Sequence, residues 1–408
     1  MSSEHPKARF FNRYTPPHIA TLVLMPALGS ISLNIFVASI PEMASEFQVS
    51  FQVMQFAISG YLALTALVQI IIGPITDRYG RRPVMLITAL IFIVATMMAT
   101  ISSDIYIFMI ARVFQAAIVS GLVISRTVVR DLFTREKAAS MLGYVTMAMS
   151  VAPMLAPPIG GLLAESFGWR SNFYFLAIGG ILLLVFCYFD QGETNPNKNS
   201  NFKKQFLAYP ELLKSKRFWG YSLTAAFSTS VYFAFLGGAA FVGKHTYDLS
   251  PSEIGLYMIF TPIGYFSGNF ISGRYSVKIG LQRMIFGGII FTLLGMIMAY
   301  VLITAGWNDP IVFFALSGFI GFGNGMTLPN ANAGMLDVKP NLAGSAAGLG
   351  GGVATLGGAV FATLAALTLT TDNGVIPLVL CMLLAIILSA FAAIFTIIVE
   401  EKNRKAQS

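Results

Sequence analysis

The residues able to do chemistry in this chain are few, and they gather in three places. Arg112 and Gln115 stand one helical turn apart inside a long apolar run, Asn34 stands inside another, and a dense cluster, Asp77-Arg78-Tyr79-Gly80-Arg81-Arg82, joins two more. Arg130-Asp131 closes the run that holds Arg112. A buried guanidinium can hold carbonyls, an anion or a carboxylate, while alternating Asp and Arg can make and break ion pairs. Bond-making chemistry would need clustered His, Asp, Glu, Ser or Cys. No His-Asp-Glu cluster, serine elbow or cysteine pair appears, and Cys187 and Cys381 both lie within apolar runs. The expectation is therefore a protein that is not an enzyme, with no cofactor and no metal.

The elements that must position these residues are membrane helices. With 56% hydrophobic and only 11% charged residues over 408 positions, the composition is that of an integral membrane protein. Apolar runs long enough to span predict twelve helices, over 19–41, 52–75, 84–102, 105–129, 138–163, 172–189, 219–243, 253–273, 284–305, 310–335, 343–370 and 374–399. With the N-terminus inside, all of the 26 Lys and Arg fall in cytoplasmic segments except Arg112, Arg126, Arg170 and Lys244. That bias sets both termini in the cytoplasm and makes the net charge of +8 topogenic, so nucleic acid is not expected as a partner. The polar, Asn-rich and then basic stretch 190–218 divides the spans six and six. The expected layout is a cytoplasmic N-terminus (1–18), a six-helix bundle (19–189), a cytoplasmic linker (190–218), a second bundle (219–399) and a cytoplasmic C-terminus (400–408).

The spacing Gly73-x-x-x-Asp77-Arg78-x-Gly80-Arg81-Arg82 resembles the loop between helices two and three of major facilitator superfamily transporters. Arg112-Val113-Phe114-Gln115 resembles the helix-four pattern of that family, with Ala116 where a glycine is usual. Ala156-Pro157-Pro158-Ile159-Gly160-Gly161 resembles its antiporter signature, with Ala156 replacing the first glycine. The run from Asn34 to Pro41 resembles helix one of the bicyclomycin and chloramphenicol resistance group of drug:proton antiporters. That group usually carries an aspartate where this chain has Asn34. The second half repeats the first weakly: Gly280 takes the place of Gly80, and the aspartate has no counterpart.

The resemblance implies two pseudo-symmetric six-helix bundles in a bacterial inner membrane, rocking about a central site. It implies cavity walls from helices one, four, seven and ten, with Asn34, Phe36, Tyr61, Arg112, Gln115, Tyr232, Phe235 and Asn324 as candidates. It also implies a conformational gate of Gly73, Asp77, Arg78, Gly80, Arg81, Arg130 and Asp131, with Pro157, Gly160 and Gly161 on a kinked helix five. Arg112 either faces the bundle interior or snorkels outward, and Arg126, nearer the cytoplasmic end, is expected to snorkel.

The eighteen acidic residues all fall outside the spans except Glu253 at an edge, and His5, His18 and His245 also lie outside. Three readings of coupling stay open: acids near the cytoplasmic face (Asp77, Asp131) carry it with Arg112 or Arg126 responding to them, the substrate carries the charge, or the protein is an uncoupled facilitator. The leading expectation is export of small amphipathic drugs or metabolites by proton-coupled antiport, neutral or anionic rather than cationic. The alternative is a facilitator or importer of a small organic anion or sugar. Partners are the lipid bilayer, the substrate and protons as coupling ion, with the chain expected to act as a monomer.

Overall fold

Runs this apolar must satisfy every backbone N–H and C=O within their own segment, which in a bilayer means a helix. The computed structural model describes residues 9–132, 145, 152–153, 155–195, 209–339, 342–370 and 374–407. Eleven helices among the described residues are long and apolar enough to cross a membrane. They are α1 (Ile19–Glu46), α2 (Phe51–Tyr79), α3 (Arg81–Ile101), α4 (Ile105–Val129), α6 (Arg170–Asp190) and, in the second half, α7 (Lys216–His245), α8 (Pro251–Ile279), α9 (Leu281–Thr304), α10 (Pro310–Asp337), α11 (Ser345–Thr368) and α12 (Ile376–Lys402). Between α4 and α6, a helix over 155–167 is α5; the earlier part of the run expected over 138–163 lies largely outside the described residues. The twelve-helix, all-α membrane fold expected from the sequence is the fold found.

Polar residues at the expected turns start the helices. Ser50 caps α2, Asp104 caps α4 by accepting from Tyr106 and Ile107 N–H (2.8 and 3.1 Å), and Ser250 with Glu253 forms a capping box on α8. Glu253, the one acid placed near a span by sequence, is thereby assigned to a helix cap. Gly80 and Gly280 join α2 to α3 and α8 to α9 with nearly the same positive φ, 99° and 92°. The duplication is thus visible in backbone conformation even where the side chains differ.

Three expectations shift. α1 is not one regular helix: it breaks after Asn34, passes through a 3₁₀ turn at Val37–Ser39 and resumes to Glu46, five residues past the expected end. Asp190, assigned to the linker, is the last residue of α6 and is fully buried. Lys216–Phe218, also assigned to the linker, begin α7, while a short helix at Tyr209–Leu213 lies just before it.

Within the second half, α10 packs closely on both α8 and α9, and α7 on α11 and α12. Between the halves, among the described residues, α2 packs on α11 and α5 on the start of α8. Glycines let backbones touch there and elsewhere: a Cβ on Gly321 would collide with the Thr261 carbonyl, and one on Gly352 would press on Ile70. The outward belt is apolar, with Leu90, Val94, Ile101, Phe391 and Ile398 exposed. That is the surface a bilayer covers.

Candidate substrate cavity and gates

Arg112 is placed by α4 in the interior of the first half and is only 2% exposed. It does not snorkel. A charge so deep needs partners for its donors. Its Nε and Nη2 donate to the Ala57 carbonyl (3.2 Å each), and its Nη1 donates to Gln115 Oε1 (2.7 Å) and the Ser32 carbonyl (3.4 Å). Gln115 passes the chain on to Thr96 Oγ1 (2.8 Å), which donates to the Phe92 carbonyl. Phe36 and Tyr61 lie over the guanidinium, each ring centre 4.5 Å from Cζ. Every partner is neutral. The cation is held by carbonyl dipoles and two π-faces, with no carboxylate.

Asn34 sits where α1 breaks, 2% exposed, and its Nδ2 donates to the Ser30 carbonyl (2.7 Å). Its Oδ1 accepts from the Tyr232 hydroxyl on α7 (2.9 Å). The two candidates from opposite halves therefore meet. Phe235 does not line this region; it packs in an aromatic cluster with Phe313 and Phe314. Asn324 accepts from the Ser228 hydroxyl (2.6 Å), an α7–α10 contact inside the second half.

Several buried polar groups near this layer went unnoticed in the sequence. Ser32 Oγ, Tyr61 Oη, Thr65 Oγ1 and both side-chain heteroatoms of Gln55 are buried without a hydrogen-bond partner. Gln55 faces Gly237 of α7 across the boundary between the halves. Arg126 is solvent-accessible on α4.

The expected gate divides into two sites at opposite ends of the bundle. At the α2–α3 turn, Arg81 pairs with Asp77 (2.5 Å) and through Nε with Asp131 at the end of α4 (3.2 Å). Arg81 is buried, so these pairs are shielded from water. Arg78 stacks over Tyr79. A Cβ on Gly73 would meet no atom within 4 Å, so close packing gives no reason for that glycine. The Arg130 side chain lies outside the described residues.

The second site is on the opposite face. Pro157, Gly160 and Gly161 of α5 lie against the other helices so closely that Gly160 abuts the Ile35 carbonyl, Gly161 abuts the Pro251 carbonyl, and the Pro157 carbonyl abuts Gly255. On that same face Gln52 donates to the Leu369 carbonyl (3.2 Å) and Phe51 packs on Phe241. Glu46 ties Arg170 and Trp169 to the end of α1. Deeper in the bundle, Gln69 donates to Thr355 (3.4 Å). The described contacts between the halves thus run from mid-bundle to the face opposite the Asp77 cluster.

The sequence profile of the Major Facilitator Superfamily matches residues 22–362 and 240–408. Multidrug resistance protein D of Escherichia coli (strain K12) is 28% identical over 365 residues, 89% of this chain and 91% of that protein. The bicyclomycin resistance protein homolog of Haemophilus influenzae (strain ATCC 51907 / DSM 11121 / KW20 / Rd) is 25% identical over 384 residues, 92% of this chain and 95% of that one. A crystal structure of a D-xylose-proton symporter superposes with a TM-score of 0.75 at 15% identity, covering 93% of this chain and 96% of that one, a likeness of fold.

Proposed function

Because the chain belongs to the Major Facilitator Superfamily, and so is a membrane transporter of small molecules and not an enzyme, we propose that it exports small amphipathic compounds by proton-coupled antiport. It does so from the cytoplasm across a bacterial inner membrane, with both termini cytoplasmic and its two halves, 19–189 and 219–399, rocking about the Asn34–Tyr232 layer. The relatives named for multidrug and bicyclomycin resistance support export, since the likeness covers nearly their whole length.

The observation that carries the choice of substrate is the neutral surrounding of Arg112. Among the described residues no carboxylate stands in the middle of the bundle, the buried cation is satisfied by carbonyls, and α4 carries a second, accessible cation, Arg126. A cavity of this polarity favours neutral or anionic compounds over permanently cationic ones. Contacts at the Glu46 face seal the bundle on the side opposite the Asp77 cluster in the state seen here. Coupling then falls to Asp77 and Asp131, whose carboxylates both pair with Arg81 at the gate.

The test uses the purified chain in liposomes with an internal pH dye and an imposed gradient of a neutral phenicol, then an organic anion, then a quaternary ammonium dye. Proton counterflow with the first two and little flux of the third is expected. Preferred transport of the quaternary ammonium compound refutes the substrate reading. A second reading, an uncoupled facilitator or importer of a small organic anion or sugar, is favoured by the same lack of a mid-bundle carboxylate. Flux that leaves internal pH unchanged selects it.

A further inference from the structure

The linker between the halves opens with Asp190-Gln191-Gly192-Glu193-Thr194-Asn195, a polar stretch with no evident task beyond connection. The structure assigns it one. Each of three consecutive linker residues touches a member of the Asp77–Arg81–Asp131 cluster. Glu193 Oε1 accepts from Arg81 N–H (2.9 Å) at the first turn of α3. Thr194 Oγ1 donates to Asp131 Oδ2 (3.3 Å), the oxygen that Arg81 Nε also uses. Asn195 Nδ2 donates to the Asp77 carbonyl (2.7 Å).

The Glu193 contact is the strongest by chemistry. A carboxylate at a helix N-terminus meets unsatisfied N–H groups and the positive end of the helix dipole. The same Oε1 also accepts from Thr194 and Asn195 N–H, 3.0 Å each, so it is fixed by three donors. The carboxylate fills the place a Cβ would take on Gly80, whose φ of 99° already disfavours any other residue. The glycine of the α2–α3 loop is therefore the seat of Glu193.

The segment is also anchored behind. Asp190 accepts from Phe11 N–H (3.0 Å), His18 N–H (2.7 Å) and Thr21 Oγ1 (2.6 Å), tying it to the start of α1. Between the two anchors Gln191 is fully buried with neither side-chain heteroatom hydrogen-bonded, a costly placement that another arrangement of the segment can relieve.

We propose that Glu193, with Thr194 and Asn195, forms a linker latch: these are positioning residues that hold the Asp77–Arg81–Asp131 gate in the conformation seen here. Because the linker leads into the second half, a pull along the chain as the halves move draws Glu193–Asn195 off the first half, which releases the latch and loosens the gate. The inference rests on the alternating movement of the halves.

The test reads the positions of the halves directly. Spin labels at Ser103→Cys and Ala305→Cys, exposed sites on the two halves at the face opposite the Asp77 cluster, report whether that face is sealed, and native Cys187 and Cys381 are buried. In the full chain in lipid nanodiscs, Glu193→Ala is expected to raise the ratio of long to short label distances about tenfold, the effect of losing one charge-assisted bond. Glu193→Gln, which keeps the shape and loses the charge, gives a smaller rise. A residue with only a stabilising role lowers the melting temperature and leaves that ratio alone. A ratio within about twofold of the parent in a monodisperse Glu193→Ala protein overturns the latch. If the parent itself shows one distance at every pH and substrate concentration, alternating movement fails and the latch fails with it.

Discussion

Tyr232→Phe is the sharpest perturbation of the central layer, because it removes one oxygen and nothing else. In the parent the Tyr232 hydroxyl donates to Asn34 Oδ1 at 2.9 Å, the two residues belonging to opposite halves. Asn34 is 2% exposed, so without the hydroxyl its Oδ1 is left buried and unpaired. A buried acceptor without a partner costs about 1–3 kcal/mol. When the halves separate at this layer the same oxygen reaches water and the cost vanishes. The whole penalty therefore falls on the conformation seen here, and about 1.4 kcal/mol of it shifts the population roughly tenfold toward the other state. Label distances between Ser103→Cys and Ala305→Cys measure that shift. Asn34→Leu should shift it likewise, and the double substitution should shift it by less than the two singles combined, leaving a coupling of about 1 kcal/mol. Additive effects, within about 0.5 kcal/mol, refute the claim that this bond joins the halves.

Other substitutions test other parts of the reading. Asn34→Asp places a carboxyl in the layer now bridged by an amide, and transport is expected to acquire a stronger pH dependence; an unchanged profile in well-folded protein removes Asn34 from the coupling path. Arg126→Gln deletes the accessible cation of α4, so competition between an organic anion and a neutral phenicol should move toward the phenicol by about tenfold; equal preference before and after shows that Arg126 does not select charge. Gly161→Val drives a branched side chain into the Pro251 backbone, so the face sealed by α5 should stay open, with long label distances at all pH values. Short distances in that variant contradict the assignment of α5 as a seal.

Helix number and the α2–α3 turn were legible because local spacing determines them, whereas the partner of Asp77 and Asp131 was not: the sequence pointed to Arg112 or Arg126, and the structure pairs both acids with Arg81. Gly80 with positive φ ends α2 after Tyr79, so Asp77 and Arg81 lie on two successive helices and are brought together by the turn, not by helical spacing. The need of Arg112 for an interior environment was likewise legible from the cost of a charge in lipid. Its partners were not, since a backbone carbonyl such as that of Ala57 leaves no mark on the sequence. Phe235 shows a second limit. Lipid and protein core are both apolar, so hydrophobic pattern does not say which face of a membrane helix looks inward. Phe235 accordingly fell in an aromatic cluster and not on the cavity wall. Asp190 did offer a signal: an acid at the end of an apolar run sits at the unfavourable end of a helix dipole, and must be held by donors from elsewhere.

That last point bears on how the two halves are built. Asp190 at the end of α6 holds the start of α1 through His18 N–H and Thr21. Glu400, near the end of α12, holds the start of α7 by the same logic, bonding Arg217 Nε (2.8 Å) and the Tyr221 hydroxyl (2.7 Å) while it also takes Gln282 at the start of α9. Asp337 at the end of α10 pairs with Arg217 (3.3 Å), as Asp131 at the end of α4 pairs with Arg81. The duplication thus persists as a rule of placement, a carboxylate at the closing end of a last helix gripping the opening of a first one, while the residues that carry it have changed. In the second half the charged partner sits on α7; in the first it sits on the α2–α3 turn, where the linker also reaches. Carboxylates that gate or couple transport are therefore concentrated at one face of both halves, and among the described residues the middle of the bundle holds the Arg112 cation and neutral hydrogen bonds such as that between Asn34 and Tyr232. A transporter built this way would move its protons, if coupled, through the end that opens, and would meet its substrate in a layer whose polarity no titration changes.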